Sequence, residues 1–466
     1  METAENIIQV IVDYAWGTPL MVLLVGGGLI LTIASRFLPF RGWRHAIAIL
    51  RGKYDKADDP GQINHFQALS TALSSTIGMG NIGGVAIAIT QGGPGAVFWM
   101  WVAAIVGMAT KFFTCTLAVL YRGRDSNGEI QGGPMYYIEV GLGRRARALA
   151  VLFSIFGAIG CLAMFQTNQV AEILGATFDL DPWLLHVTGV NVGEALGINV
   201  MHWLAGALCV TLVAVVILGG LERIAAVASR LVPSMCVLYL VLSVVIIIAR
   251  SSEIPAIFSQ IFHDAFNGTA AAGGVAGIAW KTVIQTGIKR AAFSNEAGIG
   301  TAPMAHGAAK TTEPVREGLV AMLGPFIDTV LICTLTAVVV LSAGDWRGSE
   351  VSGAALTASA FGSVLGTAGE LALIVVVLLF GLTTMFGYSY YGKKCFGYLF
   401  GAKRARIYDY VYLFSLFMGA VWKPELVINI IDTCFAMMAL PNMIATLILV
   451  PRVLDATREY FARQKV

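Results

Sequence analysis

Apolar residues gather into eleven long runs separated by short polar stretches. The runs cover about 17–35, 66–90, 95–120, 148–175, 199–219, 224–249, 268–288, 318–342, 370–392, 407–422 and 425–450. A helix needs ~20 mostly apolar residues to cross the hydrocarbon core of a bilayer. Each run is therefore read as one membrane span, numbered 1 to 11 in chain order. The stretches between them leave no room for a large soluble domain. The pattern predicts an all-α polytopic membrane protein with eleven transmembrane helices, residues 1–466 forming a single domain.

Spans 2 and 7 interrupt this pattern. Span 2 carries Ser74-Ser75-Thr76-Ile77-Gly78-Met79-Gly80-Asn81-Ile82-Gly83-Gly84. Span 7 opens with Ala270-Ala271-Ala272-Gly273-Gly274-Val275-Ala276-Gly277. Glycine costs about 1 kcal/mol per helix position relative to alanine. Four glycines within seven residues of span 2 argue against a continuous helix. The alternative is that these glycines only permit tight helix packing. Unwound backbone at membrane depth is tolerated only where it lines a cavity or is buried in protein. Gly-interrupted spans at corresponding positions of two halves point to a transporter binding site. Spans 2 and 7 lie five apart, so spans 2–6 (66–249) and 7–11 (268–450) read as two five-helix repeats. Five is odd, so the repeats have opposite topology. Residues 1–65 then hold one additional helix and the loop after it.

Composition agrees with a membrane location. Charged residues are 13% of the chain and hydrophobic ones 57%, against about 25% charged in soluble domains. Mean hydropathy is +0.75. A disordered chain and an ordinary soluble enzyme are excluded. The net charge of +3 is too small to argue for nucleic acid. Placement of charge is more informative. Loops 1–2, 3–4, 5–6, 7–8 and 9–10 and the carboxyl tail hold 26 of the 31 Lys and Arg residues, Lys289 and Arg290 among them in loop 7–8. By the positive-inside rule that side is cytoplasmic. The amino terminus is then outside and the carboxyl terminus inside, in a prokaryotic plasma (inner) membrane.

The seven cysteines are dispersed and show no C-x-x-C or metal-type spacing. Gly78-Met79-Gly80-Asn81-Ile82-Gly83 satisfies G-x-G-x-x-G, but it follows no strand and lies in a membrane span, so a dinucleotide fold is rejected. A broken helix suits a zwitterion. The amino end of a half-helix offers free N–H groups and positive dipole to a carboxylate. The carboxyl end of the other half offers carbonyls to an ammonium group or a small hard cation.

Four stretches strongly resemble the alanine/glycine:cation symporter family, the sodium:alanine symporters. They are GMGNIGGVAIAI at 78–89, GGPMYYI at 132–138, FSNEAGIGTAPMAHGAAKT at 293–311 and PFIDTVLICT at 325–334. The resemblance runs over nearly the whole length. It implies the leucine-transporter fold with its inverted five-plus-five repeat, and symport of small amino acids with Na⁺. It also implies sodium ligands, namely the carbonyls of Ser74, Ile77 and Phe380 and the hydroxyls of Thr383 and Thr384. The alternative for the two threonines is hydrogen bonding back to their own helix. Substrate contacts are expected from Thr76, Gly78, Met79, Gly80 and Asn81 in span 2. Gly273, Gly274 and Gly277 are expected to contribute from span 7. Gln166 matches a glutamine that the family carries in span 4, either reaching the substrate or bonding between helices. Gln166, Gln169 and Glu172 share roughly one helix face. Asp328 in span 8 is expected either to touch a cation or to bond backbone amides at a helix end. Asp432 and Lys281 are read as structural or near an interface. Asn295 and Glu296 are read as shaping the cytoplasmic loop after span 7. Span 3 departs from the family, with Thr114 where many members carry an acid. Met79 is expected to narrow the pocket and favour glycine or alanine.

The expected function is secondary active transport: sodium-coupled symport of alanine or glycine by alternating access, with Na⁺ as coupling ion, no cofactor and the lipid bilayer as surroundings. A proton-coupled carrier of the same fold is the alternative. Relatives of that kind can place a lysine on the helix corresponding to span 6, and span 6 has none. A channel would show a re-entrant filter and subunit symmetry. A membrane enzyme would need a metal cluster, a nucleophile–base pair or paired acids. None of these is apparent in the sequence.

Overall fold

A computed structural model describes residues 12, 14–56, 58–178, 180–182, 186, 198–267, 280–344, 346–347 and 353–464. Those residues are mostly helical. Seven helices among them are long and apolar enough to cross a membrane, and one bent pair adds an eighth. Spans 3, 5, 6 and 11 are the helices Gly95–Leu120, Val200–Ile217, Gly220–Ala249 and Pro424–Ile448. Span 8 is Pro314–Ala343. Shorter helices at Thr18–Ala34, Trp280–Asn295 and Ala405–Val421 coincide with spans 1, 7 and 10.

The helices pack in two groups. Span 3 lies against Trp280–Asn295 and the start of span 8, and span 1 lies outside it. Met164–Thr177 of span 4 packs on span 10, as does span 5, and both meet span 9. The Gly80–Gly84 stretch of span 2 touches Trp280–Asn295 and span 9, where these groups meet. Burial shows which helices face lipid. The most apolar stretch of Gly95–Leu120 is 83% buried, whereas those of spans 5 and 6 are 28% buried. Leu204, Leu208 and Leu212 of span 5, and Val237, Val241 and Val245 of span 6, are exposed at helical spacing. That is the face a hydrocarbon environment accepts.

The stretches assigned to the basic side meet at one end of the molecule. Arg122 donates to the carbonyls of Gly307 at 2.9 Å, Thr311 at 2.8 Å and Pro60 at 3.3 Å. Lys394 Nζ reaches the carbonyl of Met304 at 3.1 Å, and Arg463 reaches Glu313 at 2.9 Å. At the other end, Trp99 and Trp280 both donate to the carbonyl of Ala265, at 3.0 and 2.9 Å.

Several boundaries differ from the sequence reading. Span 7 was expected at 268–288; residues 268–279, with Gly273, Gly274 and Gly277, lie outside the described residues. The described helix runs Trp280–Asn295, seven residues beyond the expected end. Lys289 and Arg290 are therefore helical, not loop residues. They stay in the helix because Asp432 of span 11 neutralises them, with Lys289 Nζ at 2.6 Å and Arg290 Nη2 at 3.5 Å. Span 4 is two helices, Arg147–Gly160 and Met164–Thr177, interrupted where Ala163 takes a left-handed conformation with φ 53°. Residues 353–365, expected within an outer loop, are helical. They join span 9 in Gly353–Phe400 across Gly366, whose φ of 64° and ψ of −159° are accessible to glycine. The helices Ile254–Asn267 and Val450–Gln464 were not expected.

Candidate functional site

Span 2 is broken as its glycines predict. His65–Thr76 ends, Ile77 becomes extended, and Gly80–Gly92 resumes at 52° to the first half. The ends of the two half-helices are fully buried, so the freed backbone groups need partners. Asn81 supplies one. Its Oδ1 accepts the Gly78 N–H at 2.8 Å. Its Nδ2 donates to the Asp328 carbonyl at 3.1 Å and to Asp328 Oδ1 at 2.7 Å. The Asn81 side chain is thus engaged in holding the break.

Two glycines are required by close approach. A Cβ at Gly78 would stand 2.1 Å from Thr384 Oγ1, and one at Gly80 would stand 3.2 Å from the Cα of Ser294. The first contact brings span 2 against span 9, the second against span 7. A Cβ at Gly387 would likewise stand 3.0 Å from Ser74 Oγ. Ser74 and Thr384 therefore lie along one buried seam between spans 2 and 9, while Thr383 and Phe380 face Met235 and Tyr239 of span 6.

Both threonine hydroxyls bond back to their own helix. Thr384 Oγ1 donates to the Phe380 carbonyl at 2.8 Å. Thr383 Oγ1 lies 2.9 Å from the carbonyl of Leu379 and 3.1 Å from that of Phe380. A back-bonded hydroxyl still has lone pairs to offer a cation. The Phe380 carbonyl is crowded by both hydroxyls, so it has less to offer than the hydroxyls themselves. Thr383 also faces Met235 Sδ of span 6 at 3.3 Å. Thr76 Oγ1 donates to the Ala72 carbonyl at 3.2 Å, inside its own helix.

Asp328 takes partners that neither expectation named. Besides Asn81, it accepts from Ser294 Oγ at 2.8 Å and Thr329 Oγ1 at 2.7 Å. A π-helical stretch, Phe326–Cys333, turns this part of span 8 toward the break. Asn295 Nδ2 reaches Thr329 Oγ1 at 2.9 Å. A buried carboxylate is stable only when hydrogen-bonded, and here its donors come from spans 2, 7 and 8. Asp328 ties the three spans together.

A break in span 7 lies where the sequence reading placed a loop. Helix Trp280–Asn295 ends at Glu296, with φ 56°, and Gly298 and Gly300 follow with φ 89° and 101°. A short helix, Ala302–His306, resumes beyond them. Asn295 and Glu296 are each 1% exposed, so they are core residues and not parts of a solvent loop. The Glu296 carboxylate accepts the Thr301 hydroxyl. Lys111 of span 3 is also buried. The signal for this break was the glycine pair at 298 and 300 directly after a helical stretch.

Gln166 is buried, and its Oε1 has no partner among the described residues. Gln169, expected on the same face, instead accepts the Ala354 N–H at 3.2 Å and so holds the start of the outer helix. Met79 is fully buried in the break. Phe165, beside Gln166, packs edge-on against Phe293 of span 7 with ring centroids 5.1 Å apart.

A family model for the sodium:alanine symporter family matches residues 1–466. An uncharacterized transporter of Haemophilus influenzae is 42% identical over 469 residues, covering 100% of this chain and 98% of the relative. The sodium/alanine symporter AgcS of Methanococcus maripaludis is 39% identical over 463 residues, covering 98% of this chain and 97% of the relative. The crystal structure of MhsT in complex with L-phenylalanine superposes with a TM-score of 0.52 at 13% identity, covering 85% of this chain and 99% of that one. That likeness speaks for the fold, which is the leucine-transporter fold. Paired helix breaks in a multi-pass helical membrane protein and full-length family agreement lead to one conclusion: the chain belongs to the sodium:alanine symporter family, a family of transporters and not of enzymes.

Proposed function

We propose that this protein couples the inward movement of Na⁺ to uptake of small neutral amino acids, alanine or glycine, by alternating access. The observation that carries the reading is the approach of Gly78 to Thr384. It sets the end of a half-helix, with its freed carbonyls, beside the Thr384 hydroxyl, with Thr383 next in sequence. Such an oxygen set suits a hard monovalent cation. In this reading Ser74, Ile77, Thr383 and Thr384 hold sodium. Phe380 contributes mainly by orienting the two hydroxyls.

The substrate lies between the two breaks. N–H groups at the start of Gly80–Gly92 face its carboxylate. Met79, Gly80 and Gln166 border it, and Thr76, Gly78 and Asn81 shape the break around it. Gly273, Gly274 and Gly277, outside the described residues, remain candidate substrate contacts. Spans 2–6 and 7–11 act as inverted repeats, with the basic loops and the carboxyl terminus on the cytoplasmic side and the amino terminus outside.

Proton coupling would require a titratable group at the cation position. Met235 faces Thr383 there, which favours sodium. The test is uptake of labelled alanine into proteoliposomes. An inward Na⁺ gradient should drive accumulation, and an inward proton gradient alone should not. Accumulation indifferent to Na⁺ would overturn the reading.

A further inference from the structure

At the end of the molecule that carries the basic loops, the chain before span 2 is zipped to the chain after Ala302–His306. The Gln62 N–H donates to the Ala308 carbonyl at 2.8 Å, and the Lys310 N–H to the Ile63 carbonyl at 2.7 Å. Behind this zip lies a cluster that sodium and substrate binding do not use. Glu317, in the first turn of span 8, is fully buried. Its Oε1 meets Nδ1 of His65, the first residue of the near half-helix of span 2. Its Oε2 meets Nδ1 of His306 at 2.6 Å. Both histidines are 1% exposed. With both Nδ1 atoms donating to one carboxylate, each neutral ring keeps Nε2 as a bare acceptor. Neither Nε2 has a hydrogen-bond partner among the described residues. A buried acceptor left idle is costly, and each of these is a place for a proton near neutral pH.

The surroundings separate the two rings. Asp55 Oδ1 stands 3.8 Å from His65 Nε2. Arg122, just after span 3, donates to the carbonyl of Gly307, next to His306, at 2.9 Å. Lys394 of span 9 reaches the Met304 carbonyl at 3.1 Å. Arg316, beside Glu317, donates to the Tyr54 carbonyl at 3.3 Å. Span 3 adds the buried thiol of Cys115, and span 6 packs there through Leu221 and Ala225. A proton on His65 Nε2 thus makes a cation between two carboxylates, Glu317 and Asp55. A proton on His306 would share Glu317 and sit among Arg122 and Lys394.

We propose that His65, Glu317 and His306 form a proton-binding latch on the cytoplasmic gate, in which a cytosolic proton taken by His65 Nε2 holds the near half-helix of span 2 against span 8. The proposal rests on the alternating-access reading above. His65–Thr76 ends at the extended Ile77, which serves as its pivot. Lifting the half-helix parts His65 from both carboxylates. The closed form therefore binds the proton more tightly than the open form, so acid favours closure. The proton comes from the cytosol and returns to it, and is distinct from the coupling ion.

Ser70, 3% exposed on the same half-helix, reports the opening. The full chain carrying Ser70→Cys is purified in detergent with Na⁺ and alanine and treated with a methanethiosulfonate reagent over the histidine pH range. Labelling is read on the peptide that holds residue 70. It is divided by the rate for that peptide free in solution at the same pH, which removes the titration of the thiol itself. Relative labelling should fall roughly tenfold from alkaline to acid pH. His65→Gln keeps a donor for Glu317 but cannot take the proton, so its labelling should be level with pH. Glu317→Gln should label at the alkaline rate or faster throughout. Labelling of Ser70→Cys that stays level or rises with acid would overturn the latch, and that arm needs no change in the cluster. Acid protection that survives His65→Gln or Glu317→Gln would overturn it too. Na⁺-driven alanine uptake by the unmodified chain at neutral pH reports separately on the transport reading.

Discussion

Asn81 Nδ2 donates to Asp328 Oδ1 at 2.7 Å, while Asn81 Oδ1 accepts the N–H of Gly78 at 2.8 Å. One amide thus fixes the break of span 2 and ties it to span 8. A side chain on the far half-helix satisfies the backbone of the near one. The bend of 52° is held by a specific bond and not by glycine permissiveness alone.

Asn81→Ala and Asp328→Asn should each weaken alanine binding. A hydrogen bond to a charged group contributes about 1.5–3 kcal/mol, so the effect should be roughly tenfold or more in affinity. The double variant should lose less than the sum of the single losses, because the two groups act as a pair. Equilibrium binding in detergent would measure this. Strict additivity would separate the two residues.

Gly80→Val should abolish alanine binding. Its Cβ would stand 3.2 Å from the Cα of Ser294, and backbone cannot yield as a flexible side chain does. Retained alanine affinity in a folded variant would contradict the placement of the substrate between the breaks.

Thr384→Ala should raise the Na⁺ concentration that gives half-maximal uptake, and Thr384→Ser should largely restore it by returning the hydroxyl. Uptake measured against Na⁺ at fixed alanine decides the matter. Unchanged Na⁺ dependence in Thr384→Ala would remove this residue from the cation site.

Met235→Lys should make uptake insensitive to Na⁺. Met235 Sδ is 3.3 Å from Thr383 Oγ1, so an ammonium reaching the same place would repel the ion and occupy its oxygens. Binding of labelled sodium to the purified variant would fall. Sodium binding at the unmodified level would place the cation elsewhere.

The break in span 2 was legible because four glycines crowd seven residues. The break at Glu296–Thr301 was not. The apolar run of span 7 ends at Lys289 and Arg290, and a window of sequence cannot show that Asp432, more than a hundred residues later, neutralises them. Reading those charges as loop moved Asn295 and Glu296 out of the core. The outer helix before span 9 was missed for a related reason. Its start is held by Gln169, a long-range partner that leaves no local mark. Thr383 and Thr384 enter as proposed ligands through family resemblance alone, while their bonds to Leu379 and Phe380 belong to the helix itself and are visible only in three dimensions. Asp328 was conspicuous as a carboxylate within a span, yet its donors Asn81 and Ser294 come from other spans.

Coupling is reciprocal by thermodynamic necessity, so it can be tested in the opposite direction from uptake. The reconstituted protein is given an inward alanine gradient, with radioactive sodium at equal concentration on both sides of the membrane and the membrane potential clamped at zero. The account predicts transient accumulation of sodium inside the vesicles, absent with Gly80→Val. Alanine entry without any sodium accumulation would contradict sodium-coupled symport.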